Sequence, residues 1–157
     1  QDQGDLAAGL EKYEEAERIE RTALSSDHPS VAVSVNNIGL VLEARGNLPG
    51  AMKKYMESER IFRKALGDDH PKVAACMNNI GGVLLAQDDL RGAKDYRTKA
   101  FLISLRSLGP QNPDTIKLAV NLNDTGGDSL VIARAVLGAQ CAELLRAGVK
   151  ARHGVDL

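Results

Sequence analysis

Apolar residues recur along this chain at intervals of three and four, a spacing that places them on one face of a helix. The first run with this spacing consists of Val31, Val35, Ile38 and Leu42, and the second consists of Val73, Met77, Ile80 and Leu84. Each run is followed by another helical pattern, whose apolar face in the first case comprises Leu48, Ala51, Tyr55, Ser58, Ile61 or Phe62, and Ala65. The pattern predicts an all-α protein made of antiparallel helical hairpins.

The pattern is a repeat of 42 residues. Asp27-His28-Pro29 returns as Asp69-His70-Pro71, and Asn36-Asn37-Ile38-Gly39 returns as Asn78-Asn79-Ile80-Gly81. The same offset relates Tyr13 to Tyr55, so the sequence opens within a unit, and we interpret it as a piece of a longer protein. We predict one domain over 1–157, with an orphan second helix at 5–25, repeats at 29–67 and 71–109, and a degenerate repeat at 113–153 that ends in a capping helix.

Small residues recur where the two helices of a hairpin have to cross. Gly39 and Gly81 lie on the apolar side of the first helix, where only a very small residue lets the second helix approach closely. Ala51 and Ala93 are expected to fill the facing position on the second helix. Pro29 and Pro71 suit the opening turn of a helix, where a missing N–H costs nothing. These six residues are predicted to be structural.

The third copy departs from the pattern after Asn121. The segment Asn123-Asp124-Thr125-Gly126-Gly127 is rich in turn-forming residues and is predicted to cut the first helix short. One long helix is expected to follow, from an N-cap at Asp128 or Ser129 to about His153. Its apolar face is predicted to comprise Leu130, Ala133, Leu137, Cys141 and Leu144. This helix either caps the array or docks on another surface.

Composition argues against several classes of function. The chain has 157 residues, with 20 basic and 21 acidic side chains, so no excess of positive charge favours nucleic acid or an anionic membrane surface. No apolar stretch approaches the roughly 20 residues that span a bilayer, so membrane insertion is not expected. Cys76 and Cys141 lie far apart without CxxC spacing, which fits a reducing intracellular compartment and predicts a cytoplasmic location.

The sequence contains no catalytic motif in its required context. A phosphate-binding loop, a nucleophile elbow, paired metal-ligand helices and a dinucleotide fingerprint are all missing. His28 and His70 each neighbour an aspartate, but they stand a full repeat apart, whereas metal sites need three or four converging ligands. We therefore predict no enzyme activity, no cofactor and no metal, and expect each imidazole to brace its loop.

The segment Leu66-Gly67-Asp68-Asp69-His70-Pro71, followed by Asn78-Asn79-Ile80-Gly81, resembles the 42-residue tetratricopeptide repeat of the kinesin light chain-like type. The resemblance covers about 6–123. It implies a right-handed superhelix, an α-solenoid, in which the first helices line a concave groove and asparagines hold the backbone of an extended peptide. Kinesin light chains are known for basic grooves that take acidic peptides, whereas few lysines or arginines fall on the groove positions here.

From this resemblance we predict that a partner contacts Asn36 and Asn78, with Leu40, Glu43, Leu85 and Lys117 on the same surface. A carboxamide has two donors and one acceptor, so it can satisfy the backbone of a bound strand without reading its side chains. Val120 replaces the asparagine in the third copy. The alternative is that all four asparagines fix helix geometry or contacts between units, and Asn37 and Asn79 are candidates for bridging the hairpins.

These observations favour a non-catalytic scaffold or adaptor that binds a protein or a linear peptide motif. A mobile peptide ligand and a permanent place in a large assembly both fit, and the weak third copy slightly favours the permanent subunit. The alternative from another class is a regulatory arm of an enzyme whose catalytic domain lies outside this sequence. Nucleic acid is not an expected partner, because the chain has no tryptophan and only five aromatic residues for stacking.

Overall fold

The recurring loop motif determines where the first helix of each unit begins. In the computed structural model, which describes residues 3–154, Nδ1 of His28 accepts a hydrogen bond from the backbone N–H of Ser30 (3.2 Å). Nδ1 of His70 accepts one from the N–H of Lys72 (3.1 Å). A proline follows each histidine in the opening turn of the helix. Each imidazole is therefore an N-cap that satisfies a backbone donor left free by the helix.

Eight helices lie within the described residues, and no strand is found there. They are α1 (Gln3–Ala23), α2 (Pro29–Ala44), α3 (Leu48–Leu66), α4 (Pro71–Ala86), α5 (Leu90–Leu108), α6 (Pro113–Asp124), α7 (Ser129–Leu137) and α8 (Ala139–His153). The first helices of the three units are α2, α4 and α6. Helices α3 and α5 are the second helices of the first two units, and α1 takes the position of a second helix before the first unit. None of the helices in residues 3–154 has the length and apolarity needed to cross a membrane.

Consecutive helices pack as antiparallel hairpins, and the hairpins stack into a right-handed α-solenoid. Within the units α2 packs on α3 and α4 on α5, and between units α1 packs on α2, α3 on α4 and α5 on α6. The stack buries a line of large side chains that includes Ile38, Tyr55, Ile61, Ile80, Phe101 and Leu105. Ala65, which the pattern placed on the buried face of α3, is exposed one residue before that helix ends.

The crossing within each hairpin depends on a glycine. A Cβ atom on Gly39 would lie 2.7 Å from Cε1 of Tyr55, and one on Gly81 would lie 2.9 Å from Cγ of Arg97. Both distances are far below van der Waals contact, so a larger residue must displace the facing side chain. Ala51 and Ala93 are completely buried on the second helices.

The third unit is shorter than the first two. Helix α6 has 12 residues, whereas α2 and α4 each have 16. The turn after α6 contains Gly126 at φ +73°, a left-handed conformation that favours glycine. The Asp128 carboxylate then accepts a hydrogen bond from the N–H of Val131 (2.9 Å) and so caps α7.

The single long helix predicted from Ser129 is wrong. The chain breaks at Gly138, which has φ 93° and ψ 173°, a combination that essentially only glycine adopts. Leu137, the last residue of α7, and Leu144, which lies beyond the break, were both expected on the buried face and are 48% and 37% exposed.

Helix α8 has a different buried face, formed by Cys141, Ala142, Leu145 and Val149. It packs on α6, where a Cβ on Gly148 would lie 2.7 Å from Cδ1 of Ile116. The last helix therefore closes the core of the third unit from a direction that the 42-residue pattern does not predict.

Candidate partner-binding groove

Asparagines connect the first helices of neighbouring units. Nδ2 of Asn79 in α4 donates to Oδ1 of Asn36 in α2 (3.2 Å), and Nδ2 of Asn121 in α6 donates to Oδ1 of Asn78 in α4 (3.0 Å). In both contacts the donor is the asparagine at the second position of the motif, and it reaches back to the preceding unit. The amide groups of Asn36 and Asn78 donate no hydrogen bond to any described residue, and both side chains are half-buried.

Two pockets lie between consecutive first helices. The first pocket is lined by Val33, Asn36, Phe62, Lys72, Ala75 and Cys76. The second pocket is lined by Ala75, Asn78, Ser104, Asp114, Lys117 and Leu118, together with Pro71 and Asn79. A shift of 42 residues carries all six residues of the first pocket onto residues of the second. The two pockets, which together form the candidate groove, are therefore copies of one arrangement with different side chains.

The first pocket is mainly apolar. Phe62 is nearly buried, Val33 is 39% exposed, and the ammonium of Lys72 lies 5.3 Å from the centre of the Phe62 ring. Cys76 is buried beside Ser58, with 3.4 Å between Sγ and Oγ, and burial raises the pKa of its thiol to about 11. Because a thiol with a raised pKa stays protonated at neutral pH, Cys76 contributes an apolar wall and no nucleophile.

The second pocket has charged and polar walls. Lys117 and Asp114 lie on its α6 side, and both are exposed. Ser104 replaces Phe62, and its hydroxyl lies 2.8 Å from that of Thr115, so the pair is satisfied inside the core. A side chain entering this pocket therefore meets groups that form ion pairs and hydrogen bonds.

The structure brings together only some of the residues that the sequence grouped into one site. Asn36 lines the first pocket, and Asn78 and Lys117 line the second. Leu40 instead lines a third pocket between α1 and α2, and Leu85 is half-buried outside both groove pockets.

Glu43 also lies apart from the groove pockets. Its Oε2 accepts a hydrogen bond from the hydroxyl of Tyr55 (2.6 Å), so the carboxylate has a partner inside its own unit. The sequence reasoning missed Phe62, Lys72, Ser104 and Asp114 as groove residues. The signal that could have found them is the repeat itself, because 62 and 104, and likewise 72 and 114, are related by the same offset of 42.

Within residues 3–154, no three His, Cys, Asp or Glu side chains lie close enough together to hold a metal ion. The histidines of the loop motif use Nδ1 for capping, and both cysteines are free thiols. The groups gathered at the groove are thus amides, small apolar residues and rim charges, which suit recognition of a polypeptide.

Residues 34–101 match the tetratricopeptide repeat family. No curated protein sequence matches the chain. Among solved structures, BtubC (BKLC) from P. vanneervenii superposes with a TM-score of 0.70 at 23% identity, over 94% of this chain and 56% of that protein. This chain thus spans just over half the length of BtubC.

A second similar structure is that of the nearly identical TPR-like repeats of the putative kinesin light chain from Podosopora anserina, in a form that carries one substitution. It superposes with a TM-score of 0.71 at 19% identity, over 96% of this chain and 69% of that one. Solenoids of such repeats present extended binding surfaces, and the repeats generally mediate protein–protein interaction. Residues 34–101 therefore have the sequence pattern of tetratricopeptide repeats, and the helical hairpins of the chain have the fold of the kinesin light chain-like repeats.

Proposed function

We propose that this chain is a non-catalytic scaffold or adaptor module that holds an extended segment of a partner protein along the first and second pockets. The observation that carries the proposal is the repetition of a six-residue pocket at the repeat offset, with an unpaired amide donor in each copy. A groove with this periodicity suits an extended peptide, because such a peptide also presents its groups at regular intervals.

Each part of the groove has a distinct task in this proposal. The amides of Asn36 and Asn78 donate to backbone carbonyls of the bound segment, which gives affinity with little dependence on sequence. The first pocket takes an apolar side chain against Val33 and Phe62. The second pocket takes a polar or charged side chain between Asp114 and Lys117. Sequence preference therefore comes from the pockets, and the asparagines set the register.

The test is a selection of peptides from a random display library against the wild-type chain, followed by measurement of their affinity for groove variants. Val33→Glu places a charge in the apolar pocket at a position that tolerates a polar side chain because it is 39% exposed. We expect peptides that bind the groove to lose at least tenfold in affinity for Val33→Glu. The double change Asn36→Leu and Asn78→Leu should weaken them similarly by removing both amide donors.

The matched control is Val131→Glu, which makes the same substitution on α7 at a residue that is 61% exposed and lines neither groove pocket. Peptides that bind all groove variants as tightly as the wild type, or that lose affinity only for Val131→Glu, would place the binding surface outside the groove. Circular dichroism of each variant verifies that the fold is retained.

A further inference from the structure

The two asparagines of the groove, Asn36 and Asn78, use their oxygens for contacts between units. Oδ1 of Asn36 accepts a hydrogen bond from Asn79 (3.2 Å), and the thiol of Cys76 lies 3.8 Å from the same oxygen. Oδ1 of Asn78 accepts one from Asn121 (3.0 Å). The Nδ2 groups of Asn36 and Asn78, by contrast, donate to no described residue. A partner backbone that matches these two asparagines therefore supplies carbonyl oxygens and needs no N–H groups.

The two amides and the two pockets are displaced by the same step, which is the distance from one first helix to the next. Asn36 and Asn78 stand one repeat apart, as do the residues that line the first and second pockets. Helix α4 contacts α2 through the hydrogen bond of Asn79, and α6 contacts α4 through that of Asn121. The axes of packed helices lie about 8–10 Å apart. A bound segment must therefore present the same groups again after this distance.

The polyproline II helix is the extended conformation that repeats at this distance. A β-strand returns a side chain and a carbonyl to the same side after two residues, which is about 6.5 Å, or after four residues, which is about 13 Å. A polyproline II helix has three residues per turn and rises about 3.1 Å per residue, so its groups recur after about 9 Å. It has no internal hydrogen bonds, so all its carbonyl oxygens remain available as acceptors.

We propose, on the basis of the function proposed above, that the partner segment is rich in proline and binds as a polyproline II helix. It places an apolar side chain in the first pocket and a polar side chain, three positions away, in the second. Asn36 and Asn78 donate to carbonyl oxygens that are also three residues apart. Proline has no backbone N–H, so it leaves no donor without a partner beside asparagines whose oxygens are occupied. Its fixed φ pre-organises the segment and lowers the entropic cost of binding.

The pocket walls determine which side chains stand at these two positions. Val33 and Phe62 favour an aliphatic side chain such as leucine in the first pocket. In the second pocket the side chains of Asp114 and Lys117 are exposed, and neither forms an ion pair or hydrogen bond with a described residue. A glutamine carboxamide can donate to the Asp114 carboxylate and accept from the Lys117 ammonium, so glutamine suits this pocket.

The probes are labelled oligoproline peptides in which one leucine and one glutamine replace two of the prolines. These two residues stand two, three or four positions apart, and each spacing is made in both orders so that both directions of the segment are sampled. The experiment measures fluorescence anisotropy of each peptide with the full chain. We expect saturable binding by a peptide with the three-position spacing, and at least fivefold weaker binding by those with the other two spacings. Replacing its remaining prolines by glycine and serine should weaken binding at least threefold, because the flexible peptide must first be ordered.

The double change Asn36→Asp and Asn78→Asp tests the amide donors in the chain. Aspartate keeps the oxygen that contacts the next unit but removes both N–H groups, so the stacking of the helices is retained. We expect the best peptide to lose at least tenfold in affinity for this variant. Val131→Glu on α7 adds a negative charge outside both pockets and should leave the affinity unchanged. Circular dichroism verifies the fold of each variant.

Four outcomes would overturn the proposal. They are absence of saturable binding by every oligoproline peptide, equal binding at a spacing of two or four, equal binding by the glycine and serine peptide, and unchanged affinity of the double aspartate variant. If peptides selected from the random library still lose affinity for Val33→Glu, any of these results contradicts only the preference for polyproline II and keeps the groove as the binding site. Selected peptides that are insensitive to every groove variant would contradict the proposed function as well.

Discussion

The two complete hairpins, α2–α3 and α4–α5, have helices of the same lengths but differ at the residue that packs on the glycine. In the first hairpin this residue is Tyr55, whose hydroxyl donates to Glu43 within the same unit (2.6 Å). In the second hairpin it is Arg97, whose Nη1 donates to the backbone carbonyl of Asn121 in the next unit (2.6 Å). The hydrogen bond of Tyr55 therefore lies within the first hairpin, whereas the corresponding residue of the second hairpin bonds to α6 of the next unit.

The energetic consequences of the two residues also differ. Tyr55 is completely buried with its hydroxyl satisfied, whereas Arg97 is 9% exposed and its Nε lacks a partner among the described residues. Burial lowers the pKa of Arg97, although the nearby Asp124 opposes that shift. The glycine thus sets how closely the two helices approach, while the facing residue determines whether its polar end is bonded within its own unit or to the next one.

The largest expected effect comes from changing the feature that the two hairpins share. Gly39→Leu places side-chain atoms against the rigid ring of Tyr55, where even a Cβ would lie 2.7 Å and 2.8 Å from ring carbons. We expect it to lower the free energy of unfolding by about 3 kcal/mol, after a gain of up to about 1 kcal/mol from helix propensity. Gly81→Leu should cost about as much, because a Cβ there would lie 2.9 Å from Cγ of Arg97, near the base of that side chain, and 3.3 Å from the backbone oxygen of Ala93. Urea unfolding followed by circular dichroism measures both.

Gly82→Ala is the control for these variants. A Cβ there meets nothing nearer than Glu43 at 3.8 Å, which is ordinary contact. A Gly39→Leu variant as stable as Gly82→Ala would contradict the assignment of Gly39 to the helix crossing.

Much of the fold follows from the sequence, because its determinants are local and recur. The prolines that begin the first helices and the turn after Asp124 each depend on only a few neighbouring residues. The repeat of 42 residues then shows where the same elements recur. The break at Gly138 was missed because the apolar spacing continues across it from Leu137 to Cys141. A single glycine within a helical pattern does not by itself indicate whether the backbone continues or takes a positive φ.

The groove could be predicted only in part. The asparagines were selected because they recur, and their contact with a partner stays a prediction. The selection of Glu43 did not take account of Tyr55, whose hydroxyl donates a hydrogen bond to the Glu43 carboxylate. Phe62 was assigned to the core, which is correct, yet its ring also forms a wall of the first pocket. A helical pattern assigns each residue either to the buried face or to the exposed face. A residue at the boundary between two units can contribute to both the core and a pocket.

The next largest expected effect is a pH dependence of stability caused by Tyr55. It concerns only the first of the two hairpins, because Arg97 takes the place of Tyr55 in the second. Burial, together with its hydrogen bond to the Glu43 carboxylate, holds the pKa of Tyr55 well above its usual range. The folded state therefore favours the neutral phenol. The neutral phenol contributes fully to the free energy of unfolding below its pKa in the unfolded chain, about 10. This contribution is lost as the pH rises from there towards the pKa in the folded protein.

We expect the free energy of unfolding to fall above pH 10 by at most about 1.4 kcal/mol per pH unit. The measurement is urea unfolding between pH 8 and 11, with Tyr55→Phe as the control that lacks the ionisable group. If the wild type and Tyr55→Phe lose stability in parallel, the buried phenol is not the source of the pH dependence.

The smallest expected effect makes the first hairpin resemble the second at one more buried position. Ser58 donates from Oγ to the backbone carbonyl of Ala32 (2.7 Å), and the residue 42 positions later is Ala100, which is completely buried without a hydroxyl. Because the second hairpin packs without this bond, Ser58→Ala should cost only about 0.5–1 kcal/mol in the free energy of unfolding, measured by urea denaturation. A loss comparable to that of Gly39→Leu would show instead that the hydroxyl, and not only the close approach of the helices, holds α3 on α2.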